Sequence, residues 1–214
     1  NCTVHEGHAR FEGPGQVSVG DTLIEAEKIF INVGGRASVP DIPGIDSVDY
    51  MTNTSIMEVD FIPEHLLILG GSYIGLEFGQ MYRRFGSEVT VIQRGSRLIA
   101  REDEDVSSAV REILEAEGIN ILADTCDLEI EKRGEQIAVK MYCEGVNREA
   151  VGSHLLVATG RMPNTDDLGL DKAGIKIDKR GFVEVDDELQ TSAPGVWALG
   201  DCNGKGAFTH TSYN

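Results

Sequence analysis

Gly70-Gly71-Ser72-Tyr73-Ile74-Gly75 is the stretch whose residue types and spacing point most directly to chemistry. It follows a short apolar run, Leu66 to Leu69, and leads into Ile74, Phe78, Met81 and Phe85, which recur at helical spacing until Gly86 stops the pattern. The first run is too brief for a helix and suits a buried parallel strand. A second apolar run, Val89 to Ile92, comes next. Strand, glycine turn, helix and strand make a βαβ unit with the glycines where strand becomes helix. Unpaired N–H groups at that helix end, together with the helix dipole, favour an anion such as a pyrophosphate. Gly70 permits the tight turn, and Gly75 lets the helix pack closely on the strand. Ser72 holds the position where backbone approaches phosphate, and its small side chain leaves room for a dinucleotide. The competing reading is a helix packed tightly on a sheet with no ligand.

The end of the second strand bears on which dinucleotide. An acidic residue about twenty positions past the first glycine would bind the ribose 2′-hydroxyl of NAD. Here that position falls on Gln93, followed by Arg94 and Arg97. No carboxylate repels a 2′-phosphate, and two guanidiniums can pair with one, which favours NADPH. Gln93 can also hydrogen-bond a plain ribose, so NADH stays open.

These residues sit in a chain of 214 with a formal net charge of −17. The length suits one large domain or two small ones. The charge argues against nucleic acid or an anionic membrane as partner. No apolar run is long enough to span a bilayer and no signal peptide opens the sequence. Cys2, Cys126, Cys143 and Cys202 form no close pair in sequence, so spacing gives neither a zinc site nor a disulfide framework. That usage predicts reduced, structural cysteines in a cytoplasmic protein. The N-x-[ST] matches at Asn1 and Asn53 read as chance. The ends, at Asn1 and at Tyr213-Asn214, look like cut ends.

Taken in order, residues 1–36 read as strands. Cys2 to Phe11 is one; Val17–Val19 and Leu23–Ile24 flank the hairpin signal Gly20-Asp21; Ile29 to Val33 is a buried strand. Arg36 to Gly44, with Pro40 and Pro43, reads as a linker, and Asp46 to Glu64 as loop with a short helix ended by Pro63. Arg101 to Gly118 predicts a helix with Val106, Ala109, Val110, Ile113 and Leu114 on its apolar face and acids at its N-terminal end. Those acids read as a solvated helix start rather than a metal site. Ile119 to Leu122 is the next parallel strand. Leu128 to Val151, alternating around Arg133-Gly134-Glu135 and Gly145, predicts an inserted antiparallel meander, and Leu155 to Ala158 returns to the sheet. Gly181 to Val185 reads as a strand. Val196 to Leu199 is another, ending at Asp201, an exposed carboxylate suited either to a sugar or ribityl hydroxyl or to a plain turn. The pattern predicts an α/β fold: a Rossmann-like parallel sheet with an inserted antiparallel β-meander.

Four ordered segments resemble the pyridine nucleotide–disulfide oxidoreductases, FAD-dependent enzymes that include glutathione reductase, dihydrolipoamide dehydrogenase and mercuric reductase. They are INVGGRASVPDIPGI at 31–45, GGSYIGLE at 70–77, ATGRMPN at 158–164 and TSAPGVWALGD at 191–201. The REDED stretch at 101–105 looks closest to the mercuric reductase branch. The resemblance implies a parent that passes hydride from NAD(P)H to FAD and on to a disulfide or other acceptor. It implies residues 44–162 as the NAD(P)-binding domain, flanked by partial FAD-binding segments at 1–43 and 163–214.

Role by role, the resemblance implies that Gly70 to Gly75, with Gly71, Ser72 and Ile74, holds the pyrophosphate. Tyr73 resembles the tyrosine that covers the flavin face until nicotinamide displaces it; read from the residues alone it is a core aromatic. Glu77 resembles the helix glutamate that pairs with a lysine near flavin N5, and burial of an unpaired carboxylate would be costly enough to demand a partner. Gly160 and Arg161 would lie at the NAD(P)–flavin boundary, Gly34 and Asp201 against FAD. Cys126 would lie near the adenine site and contribute backbone rather than thiol. Asn32-Val33-Gly34 departs from the family's Ala-Thr-Gly. The family's N-terminal FAD glycine loop, C-x₄-C pair and C-terminal dimerisation domain have no counterpart in these residues, and His210 is not that domain's histidine. The chain therefore reads as an internal portion of a homodimeric parent, inactive alone. The alternatives are a nucleotide-binding module only, or a portion of an NAD(P)H oxidase-like flavoprotein without a redox disulfide.

Overall fold

The computed structural model describes residues 2–143 and 145–206, so Asn1, His210, Tyr213 and Asn214 lie outside the described residues. The chain divides into two units: one joins the stretch up to Arg36 with the stretch from Arg161 onward, and the other is Ala37–Gly160.

The first unit opens with an antiparallel meander of β1 (Ala9–Gly13), β2 (Gln16–Val19) and β3 (Thr22–Glu25). Val19 pairs with Thr22 around Gly20-Asp21, as the hairpin signal predicts. The first strand starts at Ala9 and not at Cys2. β4 (Ile29–Ile31) is shorter and less buried than its apolar run suggests, because Phe30 is 59% exposed. β5 is Gly35–Ala37.

The second unit carries β6 (Tyr50–Met51), β7 (His65–Leu69), α1 (Tyr73–Phe85), β8 (Glu88–Ile92), α2 (Glu104–Ala116) and β9 (Asn120–Leu122). Then come the meander β10 (Asp127–Arg133), β11 (Gln136–Cys143) and β12 (Val146–Gly152), and the return strand β13 (His154–Val157). The sheet runs β6-β13-β7-β8-β9, parallel at every step. Between 46 and 64 the structure has two single 3₁₀ turns, Ile45–Ser47 and Ser55–Glu58, and the edge strand β6, where the sequence pattern suggested only loop and a short helix.

Both faces of this sheet are covered, which is why β7 is apolar without alternation. Leu66 and Ile68 point to the side of α1 and α2, among Leu76, Tyr82, Val89, Val91 and Leu114. Leu67 and Leu69 point to the meander, among Ile130, Val139, Met141 and Leu155. The helices turn only part of the faces that hydropathy predicts to the sheet: Phe78 and Met81 on α1 and Val110 and Leu114 on α2 pack on this core. On α1 the buried residues are Gly75, Leu76, Gly79 and Tyr82, while Phe85 is 57% exposed. On α2 they are Ser107 and Leu114; Val106, Ala109 and Ile113 are exposed. Ser107 is accommodated because its hydroxyl donates to the Leu98 carbonyl at 2.7 Å. At their C-terminal ends the helices are tied by Arg84 and Gln80 on the Glu117 carboxylate and by Arg83 on the Glu117 carbonyl.

The chain returns to the first unit through β14 (Arg161–Pro163) and β15 (Val196–Ala198), the latter parallel to β4. Residues 181–185 form isolated bridges, Ile177 to Val183 and Val185 to Thr191, and no strand. Phe11, Ile31, Leu168, Ile175, Val183 and Val196 belong to this unit's core. Among the described residues no helix is long and apolar enough to cross a membrane, and no cluster of His, Cys, Asp and Glu suits a metal.

One polar atom is out of place in this packing. Thr125, just past β9, is 1% exposed, and its hydroxyl has no hydrogen-bond partner among the described residues. A buried hydroxyl without a partner costs on the order of 1 kcal/mol or more, and a methyl of similar shape does not. Thr125→Val is expected to stabilise the chain by about 1 kcal/mol. A thermal melt checks this; a lower midpoint would show that the hydroxyl is bonded.

Candidate functional site

The glycine turn is a product of close backbone approach. Gly70, with φ 108°, donates its N–H to the Ile92 carbonyl at 2.9 Å, and a Cβ there would run into the Ala158 carbonyl. The chain then turns into α1 with Ser72 extended at the N-cap and its side chain making no capping bond. A Cβ on Gly75 would collide with the Gly70 carbonyl, so only glycine lets the first helical turn settle on the end of β7. The first-turn amides, from Tyr73 through Ile74 to Gly75, have no acceptor within the helix. They form the positive end of its dipole. No carboxylate lies in that first turn.

Gln93 is built into this turn. Its Oε1 accepts from the Gly71 N–H at 2.8 Å and its Nε2 donates to the Arg97 carbonyl at 3.2 Å. Gly71 in turn accepts from the Ile99 N–H at 2.8 Å. A single amide side chain thus links the end of β8, the glycine turn and the 97–99 segment, which sequence spacing did not reveal. Arg94 is exposed, and Arg97 lines an open cleft with Ser96, Glu104, Ser107, Ser108 and Arg111.

Tyr73 is no core aromatic. It is 39% exposed, and its hydroxyl donates to the Glu102 carboxylate. That hydrogen bond, with smaller contributions from burial and the carboxylate's charge, raises the phenol above its ordinary range. Glu102 lies before the start of α2 and pairs with a residue 29 positions away, so reading it as one of the helix-start acids missed this partner. Glu77 is exposed on α1. The burial cost inferred for it from the sequence therefore does not arise, and it makes no salt bridge among the described residues. Cys126 is exposed, and its N–H donates to Cys143 Sγ at 2.8 Å. Gly160, at φ 151°, accepts from the Ser38 N–H at 2.9 Å.

In the other unit, Gly34 has φ 67° and accepts from the Asn164 N–H at 3.1 Å. Arg161 Nη2 donates to Asp201 Oδ2 at 3.0 Å and to the Gly35 carbonyl at 2.7 Å. Asp201 is therefore a half-buried, paired carboxylate and not the exposed one its place after β15 suggested. A second pair in this unit, Arg36 on Asp166 at 2.8 Å, had no signal in spacing.

A five-stranded parallel sheet with a glycine turn between its central strand and the following helix defines a Rossmann-like α/β protein. The chain belongs to the pyridine nucleotide-disulphide oxidoreductase family, whose model matches residues 2–214. It is 42% identical over 182 residues to a mercuric reductase of Streptomyces lividans, covering 85% of this chain and 38% of that one. It is 36% identical over 217 residues to the probable pyridine nucleotide-disulfide oxidoreductase RclA of Escherichia coli, covering 99% of this chain and 48% of that one. The solved structure of RclA, described as an HOCl-induced flavoprotein disulfide reductase, superposes with a TM-score of 0.87 at 37% identity over 96% of this chain and 47% of that one. The chain thus spans less than half the length of these relatives.

The Tyr73–Glu102 bond makes a measurable prediction. Glu102→Gln removes the charged acceptor that favours the neutral phenol, so Tyr73 should ionise at lower pH in the variant. Ultraviolet difference titration of variant against wild type reads the tyrosinate directly. Superimposable curves would show that the hydroxyl points elsewhere in solution.

Proposed function

We propose that this chain is the NAD(P)H-binding portion of a flavoprotein oxidoreductase that passes hydride from NAD(P)H to FAD and on to a disulfide or other acceptor. On this reading residues 44–162 hold the dinucleotide, and 1–43 and 163–214 belong to the FAD-binding domain. The observation that carries it is the glycine turn: the close backbone approach that Gly70 and Gly75 allow seats the start of α1 on the end of β7, and the first-turn amides there have no acceptor within the helix. Membership of the family and the relatives' names, mercuric reductase and flavoprotein disulfide reductase, support the chemistry assigned to the whole protein.

The donor set fits a pyrophosphate. The Tyr73, Ile74 and Gly75 amides supply hydrogen bonds and dipole, and Ser72 adds little bulk. Gly71 and Gln93 keep the turn in shape rather than bind phosphate, since each already satisfies the other. A 2′-phosphate would be met by the guanidiniums of Arg94 and Arg97, which favours NADPH over NADH. Backbone at Cys126 would border the adenine. Tyr73 and Glu77, on successive exposed positions of α1, would face the nicotinamide end, Tyr73 held by Glu102 until displaced. In the other unit, Asp201 would accept from a ribityl hydroxyl of FAD in place of one Arg161 bond, with Gly34 leaving room for that cofactor; in the larger unit Gly160 would leave room for the dinucleotide. Bound NAD(P)H supplies the hydride and the flavin receives it; the residues of this chain bind and orient.

Calorimetric titration of the chain with NADPH and with NADH tests the reading, and Gln93→Glu sharpens it. The new carboxylate keeps the acceptor for Gly71 N–H, loses the donor to the Arg97 carbonyl and places a negative charge beside a 2′-phosphate. Preference should move toward NADH by about 1–3 kcal/mol. Binding of neither nucleotide by the wild type would refute the proposal, whereas an unchanged ratio in the variant would remove position 93 from the ribose.

A further inference from the structure

We propose that Cys126 and Cys143 form a reversible disulfide, an oxidation site at the open end of the β10–β11 hairpin. The sequence separates these cysteines, but strand register joins them. β10 and β11 pair Leu128 with Met141 and Asp127 with Tyr142. One step further along the same antiparallel register puts Cys126 opposite Cys143. Directly opposed residues in such a ladder have Cα atoms roughly 4.5–5.5 Å apart, inside the roughly 4.4–6.8 Å that disulfides span. Opposed side chains also share a face of the sheet. The Cys143 sulfur lies against the backbone of its partner, 2.8 Å from the Cys126 nitrogen and 3.3 Å from the Asp124 carbonyl.

The pair is open to an oxidant, and the Cys143 side chain must leave its backbone contacts for the bond to form. Cys126 is exposed and Cys143 partly exposed, so a small oxidant reaches the pair, whereas Cys202 is buried. The segment just before Cys126 is pinned from several sides. Asp124 N–H donates to the Gly95 carbonyl and Thr125 N–H to the Gln93 carbonyl, both at 3.2 Å. Arg148 donates to the Ala123 and Asp124 carbonyls at 2.9 and 3.0 Å. The backbone on the Cys126 side is therefore anchored by four hydrogen bonds.

A hydroperoxide is the oxidant class that fits an exposed thiol pair. With hydrogen peroxide, the Cys126 thiolate attacks one peroxide oxygen; the O–O bond breaks, a sulfenic acid forms and hydroxide leaves. The Cys143 thiolate then attacks that sulfur, the S–S bond forms and the second hydroxide leaves. The two thiol protons convert both hydroxides to water, so two thiols are oxidised and one peroxide is reduced. Dithiothreitol reverses the bond by thiol–disulfide exchange.

The test uses the full 214-residue chain. It is prepared with Cys2→Ser to suppress links between molecules and treated with hydrogen peroxide, then digested without reductant. The proposal predicts one linked peptide containing Cys126 and Cys143, lighter by two hydrogens than its separate halves and cleaved by dithiothreitol. Cys126→Ser and Cys143→Ser, each folded by circular dichroism, should both lack it. The oxidised chain should melt at a higher temperature than the reduced one, because the bond restricts the unfolded chain, and neither serine variant should show that shift. Recovery of the two cysteines as separate thiols or sulfinic acids, or of Cys126 joined to any cysteine but Cys143, would overturn the proposal.

Discussion

The carbonyl of Gly70 occupies the space that a side chain on Gly75 would need, and the arrangement of the larger unit depends on that contact. It seats the first turn of α1 directly on the end of β7. The helix then runs back along the sheet on a face made of Gly75, Leu76, Gly79 and Tyr82. Any side chain on Gly79 would press on Ile68, so the close spacing persists along the helix. The approach lets Arg83, Arg84 and Gln80 reach Glu117 and joins the C-terminal ends of α1 and α2. At the other end it leaves the α1 amides facing outward beside Gln93, which braces the turn through the Gly71 N–H. Packing and the candidate binding surface thus arise from one steric condition.

How much of this is legible in the sequence depends on what carries the signal. β7 and β8 are readable because their residues are buried on both faces, and an unbroken apolar run is the trace that leaves. The helices are readable as helices, and their buried faces in part, through Phe78, Met81, Val110 and Leu114. Hydropathy selects Ile74, Phe78, Met81 and Phe85 on α1, but the contact belongs to two glycines that hydropathy scores as nothing. On α2 the buried turn includes Ser107, whose hydroxyl is satisfied by the Leu98 carbonyl, a partner outside the helix. The short edge strand β6 has too few residues to show a period. Residues 181–185 show one, but form only isolated bridges.

The candidate site divides along the same line. Its backbone part, Gly70 to Gly75, is visible because turn geometry restricts residue type. Its side-chain partners are not. Glu102 on Tyr73, Arg161 on Asp201 and the hydrogen bond of Gln93 to Gly71 all depend on segments far apart in sequence brought to fixed positions. The Cys126–Cys143 juxtaposition is the same kind of fact: meaningless as a spacing, immediate once the hairpin register is known. In a chain of net charge −17, Arg94 and Arg97 flank the turn without a carboxylate at Gln93. That local exception to the overall charge is consistent with an anionic ligand.

Amide NMR of the isotope-labelled chain during titration with NADPH tests the central claim most directly, because it reads the backbone donors themselves. The account predicts saturable shifts centred on the amides of Gly70 to Gly75, with smaller ones at Gln93 to Arg97. Saturable binding that moves amides elsewhere and leaves those of the glycine turn in place would contradict it.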